Sequence, residues 1–344
     1  MKVVKLVGKQ KLEVVEIDKP ARDGKNVIIK VVNCGICGSD LHYWEAGEGM
    51  AGAKNLIMGH EFQGICDDPG TREDLKAGDR VTVVPSNPCG KCAPCMKGWM
   101  NLCVEITRRP QPGLNGPGAY AEYIAVRPDM ARKLPDSIGD LTACLIEPLT
   151  VALHTIRTAY IRPGDCVHIG GAGIIGLSCA AWARINGASY IAMTEVNDWR
   201  RDKARELGVI DDVFDGRDEK LISKVKKATS GGVDVAIDTS AAEAGINSAI
   251  LMLKPKGTLV LAGVSLKPQS LMTLIALAKE ITIKSVFAYL PSEFDTVMDF
   301  MARGVLKNME RFISRTIDMN EAQSAFEDLH SGKSRDVKVV ISMQ

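Results

Sequence analysis

Three glycines, Gly171, Gly173 and Gly176, constrain this 344-residue chain more than any other feature. They follow a short apolar run, Cys166–Ile169, and open a helical-period stretch, Ile174–Asn186. The turn reads G-x-G-x-x-G over Gly171, Ala172, Gly173, Ile174, Ile175 and Gly176. The first glycine permits a tight turn, the second lets backbone approach a pyrophosphate, and the third lets helix and strand pack closely. Free amides and the partial positive charge of the helix N-terminus then face the phosphates. The next strand candidate, Tyr190–Thr194, leads into Glu195, about 20 residues on, where an acidic group belongs in a dinucleotide fingerprint. A carboxylate there binds ribose hydroxyls and repels a 2′-phosphate, which favours NAD over NADP. Arg200, beside Arg201, is a further cofactor contact and the residue type that accepts a phosphate.

The rest of the chain splits around this segment. Residues 1–135 carry short valine- and isoleucine-rich runs such as Asn26–Val32, Arg80–Val84 and Ala121–Val126, separated by Gly and Pro clusters. From about Ala152 strand and helix patterns alternate, the mark of a parallel sheet with crossover helices. Strands are expected at Val233–Asp238, Thr258–Ala262 and Ile281–Phe287 as well, with helices at Trp199–Leu207, Asp218–Thr229, Ala242–Leu253 and Leu271–Ala278. Two helices and a final strand, Val337–Ser342, follow Tyr289. The fold class is α/β: a β-rich unit plus a doubly wound parallel sheet.

Ten cysteines stand in a chain of net charge +1. Four of them, Cys89, Cys92, Cys95 and Cys103, lie within fifteen residues. Thiolates so close in sequence close a tetrahedral shell on zinc and leave no open position, as a structural site does. A disulfide framework or a nucleic-acid zinc knuckle are the alternatives. A reducing cytoplasm disfavours the first, and the lack of basic surplus disfavours the second. Cys34, Cys66, Cys144, Cys166 and Cys179 read as small buried hydrophobes.

A second donor set lies upstream. Cys34-Gly35-Ile36-Cys37-Gly38-Ser39-Asp40-Leu41-His42 precedes Gly59-His60-Glu61. Thiolate, imidazole and carboxylate form a three-ligand zinc site that keeps a place open for substrate. Such an ion acidifies a bound hydroxyl; water falls from a pKa of about 15.7 to about 7. Ser39 and His42 can carry the released proton outward, and Asp40 can fix the tautomer of a ligand histidine.

With these residues in hand, the chain resembles the zinc-containing medium-chain alcohol dehydrogenases over essentially its whole length. CGICGSDLH, GHE, the four-cysteine loop, GPGAYAEY, IEPLTVALH and GGAGIIG occur in that order. The resemblance implies a GroES-like catalytic domain, residues 1–153 and 290–344, interrupted by a Rossmann NAD-binding domain, residues 154–289. It implies two zincs per chain. Cys37 and His60 would ligate the catalytic ion, Glu61 directly or occasionally, with Glu147 in the third ligand's place. CGICGSDLHYWEAG is most similar to the sorbitol (polyol) dehydrogenases, which would put Tyr43, and by the same likeness Tyr289, beside substrate. Where polyol enzymes tend to carry an arginine before that tyrosine, this chain has Ala288. Arg108 and Arg109 are candidates for holding a polyol phosphate.

The activity so implied is NAD-linked hydride transfer between a secondary alcohol and its ketone. An L-threonine-type or 2,3-butanediol-type dehydrogenase is the rival within enzymes, and a binding protein that has lost its chemistry is the rival outside them. The start of the chain lacks a signal peptide's apolar core and no run of about 18 apolar residues occurs, so a cytoplasmic protein is expected. Its partners would be a small-molecule alcohol or ketone and copies of itself in a homodimer or homotetramer, with neither nucleic acid nor membrane.

Overall fold

The structure, a computed structural model, describes residues 1–343. The chain divides into two compact units, Met1–Glu147 with Leu290–Gln344, and Pro148–Tyr289. The division falls inside the helix Ile146–Ala159, whereas the sequence suggested a boundary after Leu153.

The first unit is built on a seven-stranded sheet. Its order is Ile313–Ile317, Lys338–Ser342, Val27–Gly35, Glu61–Asp68, Arg80–Val83 and Ala131–Lys133, with Tyr123–Val126 also paired to Val27–Gly35. The central strand VIIKVVNCG is almost wholly buried, which explains its near-continuous apolar run. The C-terminal strand Lys338–Ser342 lies antiparallel beside it, pairing Val340 with Gly35 and Ile341 with Cys34. On the other side Glu61 pairs with Gly35. One strand therefore stands between the two that carry Glu61 and Lys338. An N-terminal hairpin, Lys2–Gly8 with Lys11–Glu16, and the strands Glu61–Asp68 and Ile313–Ile317 have no counterpart among the strands expected from sequence.

The second unit is a six-stranded parallel sheet ordered Asp212–Asp215, Tyr190–Glu195, Cys166–Gly170, Val233–Asp238, Leu253–Leu261 and Thr282–Ser285. In chain order this is 3-2-1-4-5-6, the doubly wound arrangement whose direction of growth reverses beside the first strand. Helices Ile174–Ile185, Asp198–Leu207, Leu221–Ala228 and Glu243–Met252 make the crossovers. The edge strand Asp212–Asp215, sequence DVFD, is short and flanked by acids, so its pattern is not that of a buried strand. The opposite edge, Thr282–Ser285, is largely exposed, and the helix before it, Thr273–Ala278, exposes Leu274 and Leu277 at 75% each.

Four of the five cysteines read as buried hydrophobes are buried; Cys166 is only partly so. His168 is buried, shares a 3.0 Å hydrogen bond with Thr194 Oγ1, and is pushed down to about 4 by burial. Among the described residues no helix is long and apolar enough to cross a membrane.

Candidate metal and cofactor sites

Cys37 ends the turn after the central strand and caps the helix Gly38–Ala46. Asp40, three residues on, folds back so that its Oδ2 accepts the Cys37 amide at 3.0 Å. Gly59 precedes His60 at a φ of +91°, and a Cβ there would lie 2.5 Å from the Tyr120 ring, so only glycine fits. His60 and Glu61 then enter the strand Glu61–Asp68. The result is one cluster: a sulfur of Cys37, a ring nitrogen of His60 and a carboxylate oxygen of Glu61 all lie within 4.8 Å of one another.

The cluster gathers negative groups around one imidazole. Burial acts to lower the pKa of His60, but the negative groups of Cys37 and Asp40 outweigh it and hold the imidazole well above its usual value. Glu61 Oε1 is buried with no hydrogen-bond partner, and so is the hydroxyl of Ser39. Buried polar atoms are rarely left so, and an ion held in the cluster would satisfy the carboxylate. His60 Nδ1 faces Asp40 Oδ1 at 3.7 Å, wider than a hydrogen bond. The thiolate, imidazole and carboxylate suit zinc.

Sequence reasoning missed Lys338. Its ammonium is 1% exposed and donates to Glu61 Oε2 at 2.5 Å and to the Ile36 carbonyl at 2.8 Å. Burial alone would lower its pKa, but Glu61 and then Cys37 raise it above the ordinary lysine value, so it stays charged. The pair reaches across the central strand over Gly35, where a Cβ would sit 2.3 Å from Glu61 Oε2. The sole trace in the sequence is a lysine inside the apolar strand Lys338–Ser342. Glu147 is buried and contributes to the raised pKa values of His60 and Lys338, but it is not one of the three mutually close donors.

Ser39 and His42 both lie on the helix Gly38–Ala46, three residues apart and thus on one face; Ser39 is partly buried and His42 exposed. Tyr43 follows, half-buried, and burial pushes its hydroxyl up to about 12. Arg109 is committed elsewhere: it donates to the Asn87 carbonyl and side chain, both at 2.8 Å. Arg108 is exposed and 4.0 Å from Glu105. Neither arginine is organised as a phosphate pocket.

The four-cysteine loop forms a second cluster, with Cys89, Cys92, Cys95 and Cys103 sulfurs all within 4.8 Å of one another. The Cys89 amide donates to Cys103 Sγ and the Cys92 amide to Cys89 Sγ, both at 3.3 Å. Backbone amides, that of Lys91 foremost, bring Cys89 down to about 6. Among the described residues these four sulfurs alone make up the group, and four thiolates form a closed shell of the structural kind.

In the second unit the three glycines differ as their chemistry requires. Gly171 has a φ of +100°. A Cβ on Gly176 would lie 1.9 Å from the Gly171 carbonyl oxygen, whereas one on Gly173 would meet nothing within 4 Å. The open side at Gly173 is where backbone can meet a pyrophosphate. Ile174 and Ile175 begin the helix, so their amides belong to its unpaired first turn. Glu195 ends its strand with Oε2 accepting the Ala172 amide at 2.9 Å and Oε1 accepting those of Val196 and Asn197 at 2.8 and 2.9 Å. The ribose-binding candidate is thereby fixed to the glycine turn. Arg201 is spent on the Glu195 and Val196 carbonyls, at 3.0 and 2.9 Å. Arg200 caps no carbonyl there; its amide donates to Asn197 Oδ1 at 3.1 Å. Tyr289, the last residue of the second unit, is buried, and Ala288 before it has a φ of +50°.

A family model described as the alcohol dehydrogenase GroES-like domain matches residues 23–136, and one described as zinc-binding dehydrogenase matches residues 175–303. The chain is 35% identical over 329 residues to a probable D-xylulose reductase A of Aspergillus clavatus, covering 93% of this chain and 90% of that one. Among solved structures, the 2R,3R-butanediol dehydrogenase of Bacillus subtilis is similar at a TM-score of 0.88 and 28% identity, over 100% of this chain and 99% of that one. A short chain alcohol dehydrogenase from E. coli CFT073, solved with NADH, is similar at a TM-score of 0.89 and 26% identity, over 100% and 99%. The chain belongs to the zinc-containing medium-chain alcohol dehydrogenase family. It is an oxidoreductase of the polyol dehydrogenase kind whose cofactors are zinc and NAD.

The glycine geometry separates folding from cofactor binding. Gly173→Ala should leave the melting temperature nearly unchanged and weaken NADH binding at least 10-fold, measured by fluorescence titration. Gly176→Ala should instead lower the melting temperature by several degrees. Equal effects of the two on stability would contradict the roles assigned.

Proposed function

We propose that this protein interconverts a secondary hydroxyl of a polyol and the matching ketose, with NAD as hydride carrier. The observation that carries the reading is the cluster of Cys37, His60 and Glu61, with Glu61 Oε1 buried and without a hydrogen-bond partner. In this reading Cys37, His60 and Glu61 hold the catalytic zinc, with Glu147 near it as a further carboxylate. Cys89, Cys92, Cys95 and Cys103 hold the structural one. Zinc, when bound, supplies the Lewis acidity that makes a substrate hydroxyl easier to deprotonate.

The chain's own residues do the rest. Ser39 takes the hydroxyl proton at Oγ and passes it along the helix face to His42, which is open to solvent. Tyr43, pushed up to about 12 by burial, stays protonated and offers a hydrogen bond to a neighbouring substrate hydroxyl. Gly171, Gly173, Ile174, Ile175 and Gly176 bind the pyrophosphate of the dinucleotide. Glu195 receives its ribose hydroxyls and repels a 2′-phosphate, and Arg200, in the first turn of the helix Asp198–Leu207, is a further cofactor contact. Tyr289 is assigned to substrate contact. The oxidation balances: the carbinol carbon gives a hydride to NAD, the hydroxyl proton passes through Ser39, which releases its own, to His42 and solvent, and a ketone and NADH result.

The relatives named D-xylulose reductase favour a polyol and 2-ketose pair, and the butanediol dehydrogenase likeness keeps a vicinal diol as the second reading. A panel of xylitol, sorbitol, 2,3-butanediol and L-threonine, followed as NADH absorbance, decides between them. The polyols should give the highest kcat/KM, with NAD preferred to NADP. A best substrate among the diols or 3-hydroxy amino acids would overturn the polyol reading.

A homodimer or homotetramer in the cytoplasm accompanies this reading. The edge strand Thr282–Ser285 is open to pairing, and Leu274, Leu277 and Phe287 form exposed apolar surface near it in sequence. The four-thiol site also needs a reducing compartment. Light scattering should report an even-numbered assembly, and Leu274→Asp should shift it toward monomer; a monomeric wild type would contradict it.

A further inference from the structure

Tyr120 lies in the segment GPGAYAEY and is fully buried. Its backbone amide donates to the Met58 carbonyl at 3.0 Å, and the amide before it donates to the Gly59 carbonyl at 2.9 Å. The loop is pressed close enough that a Cβ on Gly118 would stand 2.3 Å from the Met58 oxygen. The Tyr120 ring covers Gly59, as the 2.5 Å approach of a hypothetical Cβ there shows. The residue thus holds the backbone immediately before His60.

Its hydroxyl does something different. It lies 2.7 Å from Asp40 Oδ2 and 3.3 Å from the Gly35 carbonyl; its single proton goes to the shorter contact, the Asp40 carboxyl. The Cys37 amide donates to the same Oδ2 at 3.0 Å. Two donors therefore saturate one oxygen and set the plane of the carboxylate. Oδ1 is left without a hydrogen bond, buried, and 3.7 Å from His60 Nδ1. At that distance the carboxylate acts on the ring through its charge and orientation rather than through a hydrogen bond, and it favours a proton on His60 Nδ1 with the lone pair on Nε2.

We propose that Tyr120 is a positioning residue for the metal centre: through Asp40 it fixes the orientation and tautomer of His60, and so the affinity of the site for its ion. Ring and hydroxyl have separate tasks, packing on Gly59 and orienting Asp40, and the second can be removed without the first. The inference rests on His60 being a zinc ligand, as assigned above.

Tyr120→Phe tests it on the intact holoenzyme. Outer partners of ligand histidines are worth about 10–100-fold in metal affinity, and Tyr120 acts one bond further out, so a weakening of about 10-fold is expected. Zinc affinity is read by competition with a chromophoric chelator. The d–d spectrum of the cobalt(II)-substituted protein reports the ligand geometry independently of turnover. The four-cysteine site should keep its zinc in the variant. Asp40→Asn should weaken the same site at least as much, and adding Tyr120→Phe to it should cost little more, because both act through one carboxylate. Asp40→Asn with the double variant also serves as the test should Tyr120→Phe alone fold poorly. Unchanged zinc affinity and an unchanged cobalt spectrum in Tyr120→Phe, or full additivity with Asp40→Asn, would overturn the proposal. His60→Ala checks the assignment beneath it: loss of one zinc there with no effect of Tyr120→Phe sinks the positioning role alone, whereas retention of both zincs in His60→Ala sinks the ligand assignment itself.

Discussion

The structure of the first unit depends on an ion pair that bridges its sheet through the space left by a missing side chain. Glu61 and Lys338 are each about 1% exposed and meet over Gly35. Taking two such ions out of water costs several kcal/mol each, and removing one partner of a buried pair costs about 3–5 kcal/mol. The pair is worth keeping only if the geometry serves something else. It holds Glu61, a member of the cluster with Cys37 and His60, by one oxygen and leaves the other buried and without a hydrogen-bond partner. It also draws the C-terminal strand, 277 residues away in sequence, into the wall of the site.

The same economy of means recurs around the cluster. Glycine stands wherever backbone must come close: Gly35 beneath the ion pair, Gly59 under the Tyr120 ring, Gly118 against Met58. Asp40 takes hydrogen bonds from Cys37 and Tyr120 with one oxygen and faces His60 with the other. In the second unit Gly176 packs on the Gly171 carbonyl while Gly173 is left open, and Glu195 is bound to the turn by the Ala172 amide. Each unit thus presents a preformed polar site on a rigid strand end. That is what transfer of a hydride asks of a scaffold, because loosely held groups lose the geometry that lowers the barrier.

How much of this was legible in the sequence follows from how local each feature is. The glycine turn was legible because steric limits act within six residues, and their roles in the structure differ as the motif requires. The four cysteines were legible because their spacing alone brings the sulfurs together. Cys37, His60 and Glu61 were legible as types of donor. Lys338 was not, since nothing local ties it to Glu61, and its only sign was a cation in an apolar strand. Tyr120 lay in a recognised segment, yet its contact with Asp40 joins residues 80 apart. Arg109 illustrates the converse: its residue type suggested an anion site, and its side chain instead binds Asn87. The strand Asp212–Asp215 was hidden because an edge strand needs no apolar alternation. The early end of the first unit was hidden because the helix Ile146–Ala159 runs through the division.

Two metal centres of different character are thus built into the first unit, and X-ray absorption at the zinc edge of the purified protein, with zinc content determined on the same sample, puts them to the test. Two zincs per chain are expected, one in an all-sulfur shell and one in a mixed shell with a single sulfur, the second lost in Cys37→Ser and the first retained. A single zinc per chain, or two zincs both surrounded by sulfur, would contradict that arrangement.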